Sequence, residues 1–476
     1  MANKKKIYLI NPPAFEGVKM VREGRCMQRK GAWTSVWPPV SLALCGAILE
    51  KEEHIVKLSD CIVEEIDLPL LKEKIKEFKP DFVVINTATP SIIGDLELAK
   101  AVKEINYKTF VTAIGIHVTA LANECLIMAP DLDCIIRGEP EMTVLDLVNN
   151  LEDEWEEVDG ISWKNRERIL HNKDREPVSM DSLPVPAWHL IDLKNYLMPF
   201  TLNPFVLVAT GRGCPHPCNF CADHVYYGKK LRLPSPEKIV NELAYVQERY
   251  GINEFLFWSE AFTLNRKFAR EVAKGIIEKN LKVCWVCNSR VDNVDYELLK
   301  LFKQAGCTMV GYGIESATQE ILDNSKKGIT LEQIKKAVED TKKAGLDATG
   351  HCIIGLPGET KESIERTVKF TIDLKLDFVQ YYCAVPFPGS QLYKQALKEG
   401  WINTSDWRKY EQNFSILNFP KISAEETMKL RKKAYKTFYS NPAVVFRTLK
   451  RLKSPAEWKN FIRMAREFVE WSFKSS

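Results

Sequence analysis

Three cysteines within one short run, Cys214-Pro215-His216-Pro217-Cys218-Asn219-Phe220-Cys221, follow closely on the apolar stretch Phe205-Val206-Leu207-Val208-Ala209. A loop so rich in soft ligands either folds around an inorganic centre or hides its thiols in a core. Four arrangements compete: buried thiols, a disulfide pair, a zinc knuckle and an iron–sulfur nest. The compartment bears on the choice. The start, Met1-Ala2-Asn3-Lys4-Lys5-Lys6, leads into an apolar run from Ile7 to Ile10 that is too short for a signal peptide, and no stretch is long enough to span a membrane. The expectation is a cytoplasmic protein, whose 13 cysteines stay reduced; that disfavours a disulfide framework and favours metal or redox use of the tight cluster.

At 476 residues the chain is too long for one ordinary core. Apolar runs at 6–10, 55–58, 81–85, 109–114 and 133–136 alternate with helical patterns at about 40–52, 66–77, 93–105 and 119–128. Continuously apolar strands need cover on both faces, so residues 1–175 are predicted to form an α/β domain with a doubly wound parallel sheet of the Rossmann or flavodoxin kind. Ligands of such a sheet sit at the carboxyl ends of its strands. These ends are Asn11-Pro12-Pro13, Thr87-Ala88-Thr89, Gly115-Ile116-His117-Val118-Thr119 and Arg137-Gly138-Glu139-Pro140-Glu141. Gly115 and Gly138 allow a large planar ligand to approach the backbone, and the threonines offer short hydrogen-bonding groups. No Gly-x-Gly-x-x-Gly follows the first strand, which disfavours a dinucleotide.

Pro177, Pro184 and Pro186 mark residues 176–200 as an extended linker. Apolar runs then recur at 205–209, 254–258, 283–287, 308–313, 351–354 and 378–384, each separated from the next by a helical pattern. Six β/α units over 201–400 imply a partial (β/α)6 barrel that opens at the carboxyl ends of its strands. Residues 401–476 are expected to be a helical cap, with helices over 424–440 and 456–473 and a capping box at Ser454-Pro455-Ala456-Glu457. Trp458, Phe461, Ile462, Ala465, Phe468 and Val469 share one face of the last helix. The overall charge of +4 argues against a nucleic-acid partner, yet residues 421–476 hold 14 Lys/Arg against 5 Asp/Glu. The basic tail is thus either a cap with a solvated face or an interfacial element that touches anionic lipid.

The cysteine loop lies just past the first barrel strand. Zinc would need a fourth closed ligand, for which His216 and His224 are the local candidates, and a small autonomous finger. Cys284-Trp285-Val286-Cys287 lies within a strand, where period-two placement sends the thiols to opposite faces; with Cys307, Cys352 and Cys383 they are expected as buried cysteines. Tyr312, Gln380, Tyr381, Tyr382 and Cys383 end barrel strands and are candidates to line a substrate cavity.

Gly211-Arg212-Gly213 ahead of the three cysteines, their spacing, and Phe220 before the last resemble the signature of the radical S-adenosylmethionine superfamily. Asn11-Pro12-Pro13, Trp37-Pro38-Pro39, Pro80-Asp81, the Gly115–Leu121 segment and Arg137-Gly138-Glu139-Pro140-Glu141 resemble the cobalamin-binding domain found in many of its members, and Val385-Pro386-Phe387-Pro388-Gly389-Ser390 is similar to the segment that closes their barrel. The resemblance implies that Cys214, Cys218 and Cys221 hold a four-iron four-sulfur cluster, leaving one iron for S-adenosylmethionine. It further implies that Phe220, Glu260, Arg290, Glu315 and Gly355 contact S-adenosylmethionine, with Ser259 standing where relatives carry another acid. Asn11, Thr87, Thr89, Gly115, His117, Val118, Gly138 and Glu139 would surround cobalamin. The Asp-x-His-x-x-Gly motif that supplies an axial histidine elsewhere is absent, so the resemblance implies a base-off cofactor without that ligand. By resemblance the reaction is C-methylation of an unactivated carbon through methylcobalamin and a 5′-deoxyadenosyl radical. The substrate, a protein side chain, lipid or natural product, is left open, and a flavodoxin or ferredoxin would serve as reductant. A radical cyclase of the anaerobic magnesium-protoporphyrin ester type and a non-catalytic cobalamin or iron–sulfur carrier are the alternatives.

Overall fold

The computed structural model describes residues 4–23, 28–29, 36–199, 201–452 and 455–473. Its first sheet begins with β1 (Lys6–Asn11), whose following loop carries a short antiparallel pair, β2 (Met20–Val21) and β3 (Gln28–Arg29). β4 (Ile55–Asp60), β5 (Phe82–Asn86), β6 (Phe110–Ile114) and β7 (Cys134–Ile136) join β1 in parallel, in the order β4-β1-β5-β6-β7. The hairpin β8 (Ile161–Asn165) and β9 (Arg168–His171) adds two antiparallel strands at the β7 edge. The parallel part is doubly wound, as the apolar runs predict. Ile7 and Leu9 face one layer with Leu42 and Leu49 of α1 (Val40–Lys51) and Leu147 of α6 (Glu141–Asn149). Tyr8 and Ile10 face the other with α2 (Leu68–Phe78), α3 (Ile92–Ile105) and α5 (Ala122–Met128). The predicted helix over 119–128 is split, because the chain turns at Leu121 between α4 (Ile116–Ala120) and α5.

The second sheet is wholly parallel and runs in sequence order through β10 (Phe205–Ala209), β11 (Glu254–Trp258), β12 (Cys284–Ser289), β13 (Cys307–Glu315), β14 (Asp347–Ile354) and β15 (Phe378–Cys383). After β10 comes the short α7 (Asp223–Tyr226) and then α8 (Pro236–Tyr250); α9 (Arg266–Glu278), α10 (Tyr296–Gln304), α11 (Gln319–Asn324), α12 (Leu331–Lys343), α13 (Lys361–Asp373) and α14 (Gln391–Lys398) follow the later strands. β14 starts four residues before the apolar run that predicts it, because Asp347, Thr349 and Gly350 interrupt that pattern while still pairing with β13.

The carboxyl ends of the two sheets face each other. Ala88 after β5 and Ile116 after β6 form one apolar cluster with Ala222 beyond the cysteine loop and with Val385 and Phe387 after β15. Residues 401–423, expected as part of a helical cap, instead run largely as an extended strap back over the first sheet. Trp407 lies edge-on against the His117 ring at 4.7 Å, and Arg29 beside the β1 loop pairs with the buried Glu411.

α15 (Ala424–Tyr439), α16 (Pro442–Leu449) and α17 (Pro455–Phe473) end the chain. The sequence pattern omits α16, which Asn441 caps through the Ala443 N–H; Ser454 lies outside the described residues. α15 covers the outer edge of β15. The Tyr439 hydroxyl meets both the N–H and the carbonyl of Val379, the Tyr435 hydroxyl takes the Tyr381 N–H at 3.1 Å, and the Arg431 guanidinium donates to the Tyr381 carbonyl at 2.7 Å. The face that α17 buries differs from the predicted stripe: Asn460 and Met464 are buried, whereas Trp458 and Ile462 are exposed. On this side the Asn460 amide donates to the Pro199 carbonyl, and Phe468 and Trp471 meet Tyr439 and Tyr435.

Candidate active site

The cysteine loop is held from three sides. Gly213 has φ of +82°, and a Cβ there would lie 2.4 Å from the Lys230 carbonyl, so only glycine permits this close passage. The Asn219 N–H donates to the Ser325 carbonyl at 3.1 Å, its side-chain amide to the Asn324 carbonyl at 3.0 Å, and its own carbonyl accepts from Leu392 N–H at 2.8 Å. Phe220 packs with Ile321, Leu356 and Leu392. Cys214, Cys218 and Cys221 are all half-buried, while Cys287, Cys307, Cys352 and Cys383 are buried. The expectation of a buried thiol fails for Cys284, which is exposed at the first position of β12.

Later strand ends converge on this loop. Glu315 ends β13 with φ of +61°, in a register irregularity against β14, and its carboxylate accepts from Lys327 Nζ at 2.6 Å. A side chain at Gly313 would intrude on this pair, since its Cβ would stand 2.5 Å from Glu315 Oε1 and 2.6 Å from Lys327 Nζ. The strain at Glu315 is of the kind that clusters at ligand clamps. Arg290 is largely committed within the protein: it grips Asp292 at 3.0 and 2.9 Å and donates to the Lys327 carbonyl at 3.1 Å. His216, from the cysteine loop, is held below its usual pKa by burial and then by the Arg290 charge. The His224 ring is hydrogen-bonded to the Cys214 carbonyl. Glu260 is half-buried after β11, and Ser259 is buried beside it.

Gly355, with φ of +85°, donates its N–H to Glu359 at 2.7 Å. Burial pushes that carboxyl up to about 7, so Glu359 serves the turn from within. Period two sorts the candidate cavity residues. Tyr312 and Tyr381 face outward, with hydroxyls 2.7 Å from Thr341 of α12 and 2.6 Å from Thr371 of α13, and Cys383 is buried toward Met428 of α15. Gln380 and Tyr382 occupy the alternate face, where the Tyr382 ring stacks on His351 at 5.9 Å.

Opposite lie the loops of the first sheet. Asn11 is buried and donates to Asp60 at 2.8 Å, and the Thr87 hydroxyl donates to the Ile114 carbonyl at 2.7 Å. Thr89 is buried in the turn after β5. Gly115, with φ of +131°, brings the β6 loop so near β5 that a Cβ would lie 2.6 Å from the Thr87 carbonyl. His117 is buried, its Nδ1 meets no hydrogen-bond partner among the described residues, and burial drives its pKa down to about 3, so the ring is neutral. Val118 points into the core, leaving only its backbone near the loop surface.

Glu139 is drawn across to the second sheet. Arg212 pairs with Glu139 at 2.6 Å and with Glu141 at 2.5 Å, and Arg232 also pairs with Glu139. Gly138 lies next to the Tyr226 carbonyl, 3.6 Å from where a Cβ would be. This clasp joins the loop after β7 to the residue two places before Cys214. Sequence reasoning missed it, although an arginine between two glycines ahead of the cysteines was the available signal. Lys327 and the buried Glu23, which accepts from the Ser41 N–H and hydroxyl, carried no motif at all.

The donor set fits the cofactors that the sequence implies. Cys214, Cys218 and Cys221 bring three half-buried thiols onto one loop, soft donors of the kind that hold iron–sulfur clusters. On the facing sheet, the close-packed Gly115 loop and the orphaned buried Nδ1 of His117 suit a large polar ligand.

Comparison with known proteins agrees with this pairing of sites. Residues 208–371 match the family model of the radical SAM superfamily, and residues 31–148 match that of the B12 binding domain. An uncharacterized methyltransferase, PH0819, of Pyrococcus horikoshii is 34% identical over 447 residues, covering 93% of this chain and 94% of that protein. The anaerobic magnesium-protoporphyrin IX monomethyl ester cyclase of Cereibacter sphaeroides is 29% identical, covering 86% of this chain and 68% of that protein. The structure of the radical S-adenosylmethionine methyltransferase TsrM from Kitasatospora setae, solved with cobalamin and a [4Fe-4S] cluster, shares the fold at a TM-score of 0.72 and 14% identity, over 98% of this chain and 100% of that one. The protein is therefore an enzyme, and it belongs to the cobalamin-dependent radical S-adenosylmethionine family.

Proposed function

We propose that the protein is a C-methyltransferase acting on an unactivated carbon. The observation that carries this reading is the opposition of the two sets of strand ends, which sets the Cys214–Cys221 loop facing the Gly115 and Thr87 loops. When bound, the cluster with S-adenosylmethionine supplies a hydrogen-abstracting radical, and cobalamin supplies a transferable methyl group. The chain's own residues do the rest. Cys214, Cys218 and Cys221 ligate three irons; Glu315, steadied by Lys327, and Glu260 hold the polar groups of S-adenosylmethionine; and Phe220 and the Gly355 turn shape its seat. The loops at Asn11, Thr87, Thr89, Gly115, His117 and Val118 bound the corrin, with Gly138 and Glu139 tying that side to the barrel. Arg290 acts through Asp292 and the Lys327 carbonyl, holding the Glu315–Lys327 pair in place. The cofactor is bound base-off without a motif histidine, and a flavodoxin or ferredoxin in the cytoplasm delivers the electron.

The test is anaerobic turnover with S-adenosylmethionine labelled in its methyl group, presented with extracts of candidate substrates. Label should appear on carbon in a product, alongside 5′-deoxyadenosine. Deoxyadenosine formed with an altered but unlabelled product would refute methylation and favour the cyclase reading, which rests on the similarity to the Cereibacter sphaeroides enzyme. Base-off binding is checked by the electron paramagnetic resonance of bound cob(II)alamin, in which nitrogen superhyperfine splitting would overturn it.

A further inference from the structure

The loops that follow β1 and β5, both in the proposed corrin seat, are tied to each other by an ion pair sealed from water. Arg22, just past β2, meets Asp95, in the first turn of α3, at 2.7 Å, and the two side chains are 0% and 1% exposed. Each partner also grips backbone. The Arg22 guanidinium donates to the carbonyls of Pro12 at 2.9 Å and Pro13 at 3.3 Å. Prolines have no N–H, so Pro12 and Pro13 offer only carbonyls by which their turn can be held, and a planar fork of donors can take both together with a carboxylate. On the other side the Asp95 carboxylate accepts from the Ala88 N–H at 3.0 Å and from the Ser91 hydroxyl at 2.6 Å. These bonds fix the Thr87–Ala88 peptide and close the single turn Thr89–Ser91.

The same peptide reaches the third loop. The Thr87 N–H donates to the Ile114 carbonyl at 2.9 Å, and the Thr87 carbonyl stands 2.6 Å from where a Cβ on Gly115 would lie. The ends of β1, β5 and β6 are therefore fastened as one rim, with Arg22 and Asp95 linking the first to the other two. Stability alone gives little reason for such a pair. Desolvation of two buried charges offsets most of their attraction, and apolar residues of similar volume often serve as well. What the pair supplies is a fixed backbone at three strand ends, and loops that are already ordered spare a large ligand the entropy of ordering them on binding.

We propose that Arg22 and Asp95 are positioning residues for cobalamin: buried and committed inward, they hold the Asn11, Thr87 and Thr89 loops, and through Thr87 the Gly115 loop, in the conformation that the corrin meets. The inference rests on the proposed placement of the corrin at those loops.

The test is equilibrium dialysis of hydroxocobalamin against the full-length protein with its cluster reconstituted. Arg22→Lys keeps a charge beside Asp95 but loses the fork, and should raise the cobalamin dissociation constant about tenfold; Ser91→Ala removes one hydroxyl, leaves the ion pair, and should raise it about threefold. The dissociation constant for S-adenosylmethionine and the iron content per chain belong to the other sheet and should stay within about twofold of wild type in both variants, whereas a general loosening of the fold would move all three. An unchanged cobalamin constant in Arg22→Lys would overturn the proposal, as would a parallel loss of S-adenosylmethionine and cobalamin. If Arg22→Lys does not fold, Ser91→Ala decides, and a cobalamin constant equal to that of wild type overturns the proposal. Wild-type protein that takes up no cobalamin would refute the corrin placement itself and this inference with it, so the two failures are told apart by the wild-type measurement.

Discussion

Replacing Arg212 by methionine isolates the ionic clasp between the two sheets. The Arg212 side chain is 5% exposed and Glu141 2% exposed, so the pair has almost no water to fall back on. Glu139 keeps Arg232 in the variant, whereas Glu141 loses the arginine that pairs with it. Removing one partner of a buried ion pair costs about 3–5 kcal/mol, chiefly because the remaining charge stays buried. For a cooperative unit of roughly 150–250 residues this corresponds to a fall in melting temperature of about 6–20 °C. The assay is thermal unfolding followed by tryptophan fluorescence, with iron content per chain read alongside because Arg212 lies so close to Cys214. The double variant Arg212→Met/Glu141→Leu removes the stranded charge and should recover at least half of the loss, since an apolar replacement of a whole buried pair is often close to neutral. A fall of less than about 2 °C for Arg212→Met, or a double variant no more stable than the single one, would refute the reasoning.

Glu23 gives a pH-dependent prediction. Burial raises its carboxyl from about 4.5 to about 7 in the folded state, so between those values the unfolded chain releases a proton that the folded chain retains. Its contribution to stability is therefore intact below about 4.5, falls as pH rises toward 7, and is level above that; Glu23→Gln should match wild type at the acid end and be more stable by about 3 kcal/mol at pH 8, by chemical denaturation. A difference independent of pH would contradict this. Alanine at Cys214, Cys218 or Cys221 should abolish the visible absorbance and iron content of the reconstituted cluster with an unchanged far-ultraviolet circular dichroism spectrum, while Cys284→Ala retains both. Gly313→Ala should push apart the Glu315–Lys327 pair and raise the dissociation constant for S-adenosylmethionine about tenfold in equilibrium dialysis, equivalent to about 1.4 kcal/mol; unaltered binding would exclude that pair from the ligand seat.

The fold was legible where each side-chain period had one meaning. Ile7 to Ile10 and Phe82 to Ile85 are apolar without a break, and only a strand covered on both sides accommodates that. The period was misleading on α17, whose apolar residues occupy two faces, and the docked face is held by contacts remote in sequence, Asn460 with Pro199, Phe468 with Tyr439 and Trp471 with Tyr435. The strap over His117 has no period to detect, being held by scattered contacts such as Trp407 and Glu411. At the site, the cysteines were visible because their spacing is itself the signal. Glu315 was visible through its strand-end motif, but Lys327, twelve residues on, meets it only because the chain returns through α11. The resemblance puts Glu139 on the cofactor side, whereas its pairing with Arg212 and Arg232 depends on a contact between the two sheets, for which Gly211-Arg212-Gly213 is a local signal but names no partner.

The cover that α15 provides for β15 has a consequence for how this chain can be handled. A strand at the end of an unclosed sheet offers its free peptide groups to any passing segment, and that is the usual route to strand addition between molecules. Here Tyr435, Tyr439 and Arg431 occupy those groups with side chains, which cannot propagate a ladder. A chain cut after β15 would not be a smaller enzyme but a sticky one, because the cut would bare a ready template for its own neighbours. The last helices thus guard solubility as well as shape, and their removal should be read first in light scattering.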